Sequence, residues 1–187
     1  MTQKRCEWAE NTYPAYEKYH DEEWGVPVHN DKVHFEFLIL ESAQAGLSWS
    51  TVLNKREGYR KAFANFEVEK VARYDEKKIE ELIQNPEIIR NKLKIRAAVT
   101  NARLFLEVQK ELGSFSKYIW SFVNNQTIVG NWKKMPDVPA TSPESDALSK
   151  DLKKRGFKFV GSTIIYAHMQ ATGLVNDHTT DCFCFKI

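Results

Sequence analysis

Cysteine is scarce in this chain of 187 residues: only Cys6, Cys182 and Cys184 occur. Three cysteines, behind an N-terminus with no apolar leader core, argue against a disulfide framework and leave free thiols or metal ligation. Apolar runs are short, none much longer than Phe37-Leu38-Ile39-Leu40. No segment is therefore expected to cross a membrane, and the cytoplasm is the expected location. Neither sign of charge dominates, since 27 Lys and Arg against 25 Asp and Glu leave +2. That excludes a histone-like excess but not a local basic patch for nucleic acid. Alternating strand patterns are nearly absent, and we find no repeats or low-complexity linkers. What is present is ordinary globular composition, 42% hydrophobic and 28% charged. A chain of this length buries roughly 70% of its unfolded surface without covalent staples. One domain, 1–187, is expected, and a monomer is the default.

The remaining pattern is helical. Asp31 is placed to cap a helix from Lys32 to about Ala45, and Ser48 a second running through Leu53 and Tyr59 to Phe63. Asp75 caps a short helix ending near Gln84. Asn85-Pro86 has the cap-then-proline signature of the next start. Ile95, Ala98, Val99, Ala102, Phe105, Leu106 and Leu112 recur at three- and four-residue steps in a long helix. Gly113 and Ser114 end it and open 115–123. Residues 124–141 read as a loop. Ser142-Pro143-Glu144 opens a helix to Arg155, and a last helix spans about Ser162 to Thr172. The fold class is all-α.

Four local features carry chemistry. Residues 8–24 concentrate Trp8, Tyr13, Tyr16, Tyr19 and Trp24, either a locally aromatic core or a site that stacks flat ligands. Glu41 follows an apolar run. It sits at a helix edge, or it is a pocket carboxylate poised for a cation or an N–H donor. The helix pair joined by Lys-Arg-Gly-Phe-Lys-Phe-Val-Gly has Gly156 and Gly161 for a tight turn and close backbone approach. Its window 150–158 holds Lys150, Lys153, Lys154, Arg155 and Lys158 against Asp151. That makes it either a phosphate-backbone site or a solvated basic face. Finally, His178 and Cys182 share a side at i, i+4 spacing. With distant Cys6 and His20 they make a Cys₂His₂ set able to close a tetrahedral zinc site. Cys184, His29, His34 and His168 compete as ligands, and simple burial competes with ligation.

These segments together resemble type I 3-methyladenine DNA glycosylase of the helix-hairpin-helix superfamily. The resemblance runs through Arg5-Cys6-Glu7-Trp8, Tyr19-His20-Asp21-Glu22-Glu23-Trp24-Gly25-Val26-Pro27, Leu40-Glu41 and Gln44-Ala45-Gly46-Leu47-Ser48-Trp49. It continues in Asp146-Ala147-Leu148-Ser149-Lys150, in 155–161 and in Gly173-Leu174-Val175-Asn176-Asp177-His178. It implies two helical lobes around a base-binding cleft, with a helix-hairpin-helix element at about 143–172. It implies a monofunctional enzyme that hydrolyses the N-glycosidic bond of N3-methyladenine in double-stranded DNA, leaving an abasic site. The implied base-pocket carboxylate is Glu41. The implied pocket aromatics are Tyr16, Tyr19 and Trp49, with Trp8 and Trp24 nearby. Gly46 and Leu47 fall in the segment that probes the gap left by the extruded base. Lys154, Arg155, Gly156, Lys158 and Gly161 fall on the DNA-gripping hairpin. One structural zinc falls on Cys6, His20, His178 and Cys182, joining the two termini.

Two other functions compete. A zinc-stapled DNA-binding module would not need Glu41 or the Tyr16, Tyr19 and Trp49 set. A zinc hydrolase would need an open coordination position. Asp177 lies where many relatives in the wider superfamily use an Asp to assist cleavage; its other reading is a partner that orients His178.

Overall fold

The computed structural model describes residues 3–185, and those residues are mostly helical. Ten α-helices are α1 (Pro14–Glu22), α2 (Asp31–Gln44), α3 (Trp49–Leu53), α4 (Arg56–Ala62), α5 (Val68–Val71), α6 (Glu76–Gln84), α7 (Lys92–Leu112), α8 (Phe115–Trp120), α9 (Pro143–Lys154) and α10 (Ser162–Ala171). The one sheet among the described residues is a two-residue parallel pair. In it β1 (Ile128–Val129) lies beside β2 (Val175–Asn176), with Ile128 opposite Val175.

α2 is the axle of the fold. It packs against α3, α7, α8 and α10. Nearly its whole length is buried, from His34 to Ala43, as a helix surrounded on all sides must be. One large apolar cluster joins α2 to α4 through α10. A smaller one gathers Cys6, Tyr19, Trp24, Phe37, Leu53, Ala171 and Cys182 where the two ends of the chain meet.

Several caps fall where the sequence put them. The hydroxyls of Ser48, Ser114 and Ser142 and the carboxylate of Asp75 accept from backbone N–H groups one turn on. Three differ. The cap of α2 is Asn30, whose Oδ1 accepts from Lys32 N and Val33 N. Asp31 instead reaches across the fold. Its carboxylate accepts from Phe115 N (2.9 Å), Ser116 N (2.8 Å) and Gln109 Nε2 (2.7 Å), so it stabilises the start of α8 from another helix. The helix expected from Ser48 to Phe63 breaks after Leu53, where Lys55 turns its ammonium to Pro86 O at 2.7 Å. Asn85 makes only a local turn, its Oδ1 accepting from Glu87 N, and Asn91 caps the long helix instead. The expected loop 124–141 contains β1 and a short 3₁₀ turn, Met135–Asp137. Its pairing partner lies too far along the chain for local patterning to show it.

One buried pair stands outside the chemistry below. His34 on α2 and His168 on α10 lie with ring centroids 5.6 Å apart. His34 Nε2 donates to Val28 O (2.9 Å), while His34 Nδ1 and both nitrogens of His168 are buried without a partner among the described residues. Burial lowers their pKa values from 6.5 to about 4 for His34 and about 3 for His168. Asp31 opposes the shift at His34, His29 adds to it, and His34 adds to that of His168. A histidine with a folded value below its unfolded one binds protons more tightly when unfolded. Its contribution is therefore intact above pH 6.5 and lost as pH falls toward 4. Thermal midpoints should drop between pH 6.5 and 4, and His34→Leu combined with His168→Phe should flatten that drop. Parallel curves for variant and parent would refute this account.

Candidate functional site

The site is a cavity of about 190 Å³ between the small terminal cluster and the axle helix. This is below the roughly 300–1,000 Å³ of clefts that take drug-sized ligands; it suits one planar ring system. Each wall comes from a different element. Trp8 stands on the 3₁₀ turn Glu7–Ala9. Tyr16 and Tyr19 lie three apart on α1, so they share a face, and Trp24 follows α1. Glu41 and Gln44 share a face of α2, Trp49 opens α3, Ala167 and Gln170 share a face of α10, and Met135 closes one side. The rings brace one another: Trp8 meets Tyr16 and Trp24 edge-on at 5.3 and 5.1 Å, and Tyr19 lies 5.1 Å from Trp49.

Glu41 is the charged group at this wall. It is 3% exposed, and no donor among the described residues pairs with it. Burial alone raises its carboxyl pKa from 4.5 to about 8. Around pH 7 the empty pocket therefore holds it largely protonated, and a cation entering would favour the carboxylate. Because the folded value lies above the unfolded one, this burial costs stability increasingly as pH rises from 4.5 to 8. Trp49 Nε1 is also buried without a partner. Two unsatisfied polar groups in one small cavity mark a place prepared for a ligand that is polar at its edge.

A groove leaves the cavity past Glu41, Gln44 and Ala167 toward Ala45, Gly46 and Leu47. Leu47 is 43% exposed at the tip of that turn. The turn is held from behind by Lys94 on α7, whose ammonium donates to Ala43 O (2.9 Å) and Ala45 O (2.6 Å). Lys94 thus satisfies carbonyls left open where α2 ends.

α9 and α10 pack as a hairpin. Ser149 Oγ donates to Val160 O at 2.6 Å, and Asn101 bonds both the N–H and the carbonyl of Lys158. Gly156 has φ of +100°, so the turn requires it. Gly161 has φ of −60° and nothing within 4 Å of where a Cβ would sit. Its glycine is therefore explained by neither turn nor packing, and its surface stays open to an outside backbone. Arg155 is committed inward: it donates to Asp151 (2.8 Å) and Glu111 (2.7 Å) and lies 5.0 Å from the Tyr118 ring centroid. Lys154 and Lys158 have no ion pair among the described residues and stand as the freer cations.

Beside the aromatic wall lies a cluster of metal-binding types. Ligand atoms of His20, His178, Cys182 and Cys184 all lie within 4.8 Å of one another. His20 Nδ1 meets Asp21 Oδ1 at 2.8 Å and turns Nε2 toward Cys182 Sγ, 3.5 Å away. His178 Nδ1 meets Asn176 Oδ1 at 2.8 Å, which leaves Nε2 buried and without a partner. Cys6 is fully buried against the same group. Its N–H donates to His20 Nε2, and its sulfur accepts from Thr179 N. An orphaned imidazole nitrogen among sulfurs, with both histidines oriented from behind, fits a thiophilic metal. Asp177 does not orient His178; Asn176 does. Asp177 is instead filled by three donors: Trp132 Nε1 at 2.6 Å, Tyr166 Oη at 2.7 Å and Gln170 Nε2 at 2.8 Å.

Residues 8–185 match the family model described as methyladenine glycosylase. The chain belongs to the methyladenine glycosylase family. DNA-3-methyladenine glycosylase 1 of Escherichia coli (strain K12) is 50% identical over 182 residues, 97% of each chain. A crystal structure of a 3-methyladenine DNA glycosylase I superimposes with a TM-score of 0.95 at 49% identity, covering 98% of this chain and all of that one. A Staphylococcus aureus 3-methyladenine DNA glycosylase I, whose structure concerns recognition of 3-methyladenine, superimposes at 0.93 with 38% identity, covering 98% of this chain and 97% of that one.

In this methyladenine glycosylase the six pocket residues expected from the sequence lie together. Glu41, Tyr16, Tyr19, Trp49, Trp8 and Trp24 line a single cavity, and Glu41 is a pocket group rather than a helix-edge one. Met135, Ala167 and Gln170 were not anticipated. Met135 came from a stretch read as loop, and Ala167 and Gln170 were lost in an otherwise apolar helix. The one available signal was a glutamine three residues after an alanine on α10.

Proposed function

We propose that this chain is a base-excision repair enzyme that removes N3-methyladenine from alkylated double-stranded DNA. The observation that carries the reading is Glu41, a buried carboxyl group without a counter-charge inside a base-sized aromatic cavity. A base within a duplex is out of reach, so it is turned out into the cavity. N3-methylation makes the base cationic and weakens its pairing. Trp49 and a tyrosine, Tyr16 or Tyr19, hold its faces, and stacking of this kind is worth ~1–3 kcal/mol per base. Trp8 and Trp24 back them, and the aromatic faces add a cation–π attraction. Glu41 ionises against the incoming cation and accepts from its amino edge, which favours it over neutral adenine.

The reaction then follows from the charge. The bond between the sugar C1′ and base N9 breaks, and its electron pair moves into the ring and neutralises it. Water adds to C1′, loses a proton to solvent and leaves an abasic site. The leaving base needs no protonation, so Glu41 acts by recognition and charge stabilisation rather than as a nucleophile. The enzyme is accordingly monofunctional.

DNA is gripped by a helix-hairpin-helix element formed by α9, α10 and the turn between them. Backbone groups at Gly156 and Gly161 approach phosphates, with Lys154 and Lys158 adding charge. Arg155 contributes by holding the turn. Gly46 and Leu47 fill the gap left by the extruded base, as apolar wedges do. The enzyme works as a monomer in the cytoplasm.

The metal cluster is proposed as one structural zinc on Cys6, His20, His178 and Cys182. Cys6 is preferred to Cys184 because its side chain is wholly buried and its sulfur accepts from the Thr179 backbone N–H. When bound, zinc ties the N-terminal arm to the C-terminal segment, and four protein ligands leave it no open position. Cys6→Ser should lose the single equivalent of zinc and several degrees of thermal stability, while Cys184→Ser keeps both. The opposite pattern would assign the fourth position to Cys184.

The activity is tested by incubating the protein with alkylated duplex DNA and separating released bases by chromatography. Free N3-methyladenine without strand cleavage is expected. Glu41→Gln should lower its release by about tenfold or more, the cost of removing a charge-assisted contact of roughly 1.5–3 kcal/mol. No release by folded parent protein, or full release by the variant, would overturn the reading.

A further inference from the structure

The bonds around Asp177 fix an atom that none of the roles above uses. Gln170 lines the base cavity from α10, and its amide nitrogen donates to Asp177 Oδ2 at 2.8 Å. The same oxygen accepts from Tyr166 Oη at 2.7 Å, and Oδ1 accepts from Trp132 Nε1 at 2.6 Å. Asp177 is 1% exposed, and its two oxygens accept from all three donors. The Gln170 amide therefore cannot turn over without placing its oxygen against that carboxylate. Its nitrogen is held toward Asp177, and its oxygen diverges from it.

The surroundings are built to keep this arrangement. A Cβ at Gly130 would lie 2.1 Å from Trp132 Nε1 and 2.6 Å from Asp177 Oδ1, so only glycine lets that bond form. Gly130 N also donates to Asn176 O, and Thr180 N donates to Trp132 O, tying the 130–132 loop to the segment that carries Asp177. The 130–132 loop and α10 thus converge on one carboxylate and, through it, on one amide at the cavity wall.

We propose that Gln170 is a specificity-determining residue whose Oε1 is a fixed, neutral hydrogen-bond acceptor in the base cavity, with Asp177 as its positioning residue. An acceptor there pairs with the exocyclic amino group of an adenine-type base. A guanine-type base carries a carbonyl oxygen at the same ring position, so it meets the acceptor with another acceptor. Glu41 answers the positive charge that N3-methylated adenine and guanine share in DNA and takes one amino hydrogen of the adenine-type base. Gln170 adds a second, uncharged acceptor for the other, which sharpens the distinction between the two. A site built to pair with a substrate N–H rejects analogues that leave it unpaired.

The inference rests on the glycosylase reading, and its test separates the two. Parent protein and Gln170→Met, a variant of similar volume without the amide, are incubated with methylated duplex DNA. Release of N3-methyladenine and N3-methylguanine is measured in the same reaction. The ratio of the two kcat/KM values does not depend on how much of the variant is folded. It should fall about tenfold or more in the variant, the loss of roughly one hydrogen bond from one substrate and relief of a clash for the other. An unchanged ratio, even with both rates lowered, would overturn the role of Gln170. Failure of the parent protein to release either base would instead refute the glycosylase reading itself.

Discussion

The desolvated carboxyl group of Glu41 is the constraint around which the site is arranged. A lone acidic side chain inside an aromatic cavity is a liability in the empty protein. Its pKa rises to about 8 because nothing nearby offsets the loss of water. In the proposed function, that cost is what makes the cavity selective. Neutral bases also stack, without the cation–π gain, but only a cation turns the buried acid into a favourable ion pair. Recognition therefore lies in the electrostatics, while the aromatic walls supply affinity.

Holding such a group in place demands a rigid frame. α2 meets this by being buried nearly from end to end, so the position of Glu41 is set by packing on every side. The other walls arrive from both ends of the chain. The Cys6, His20, His178 and Cys182 region, with Asp21 and Asn176 behind the histidines, lies against Trp8 and Trp24. This Cys/His cluster and the aromatic wall are thus parts of one packed unit, so loosening the termini would loosen the pocket. Asp177 extends the frame by joining the 130–132 loop to α10.

Much of this was legible in the sequence because its signals were local. Serine caps, the i, i+3 spacing of Tyr16 and Tyr19, and the three-and-four period of α7 depend only on neighbours along the chain. The cavity residues were legible through family resemblance, since nothing in the pattern around Glu41 distinguishes a helix edge from a pocket. What escaped was long-range. Asp31 looked like a cap for its own helix and serves α8. Lys94, which no local pattern singles out, braces the end of α2. Asp177 stands beside His178 in sequence, yet its partners are Trp132, Tyr166 and Gln170. In each case one polar side chain has several possible partners, and only the tertiary fold selects among them.

The central claim is that Glu41 is uncharged in the empty pocket near neutral pH and ionised around a cationic ligand. The direct measurement is a carbon NMR titration of its side-chain carboxyl, with Glu41→Gln used to assign the signal. It should be made on the free protein and again with a cationic N-methylated purine nucleoside bound. The account predicts a midpoint near 8 when free and a fall well below that when the cation is bound. A midpoint near 4.5 in the free protein, unmoved by the ligand, would contradict it.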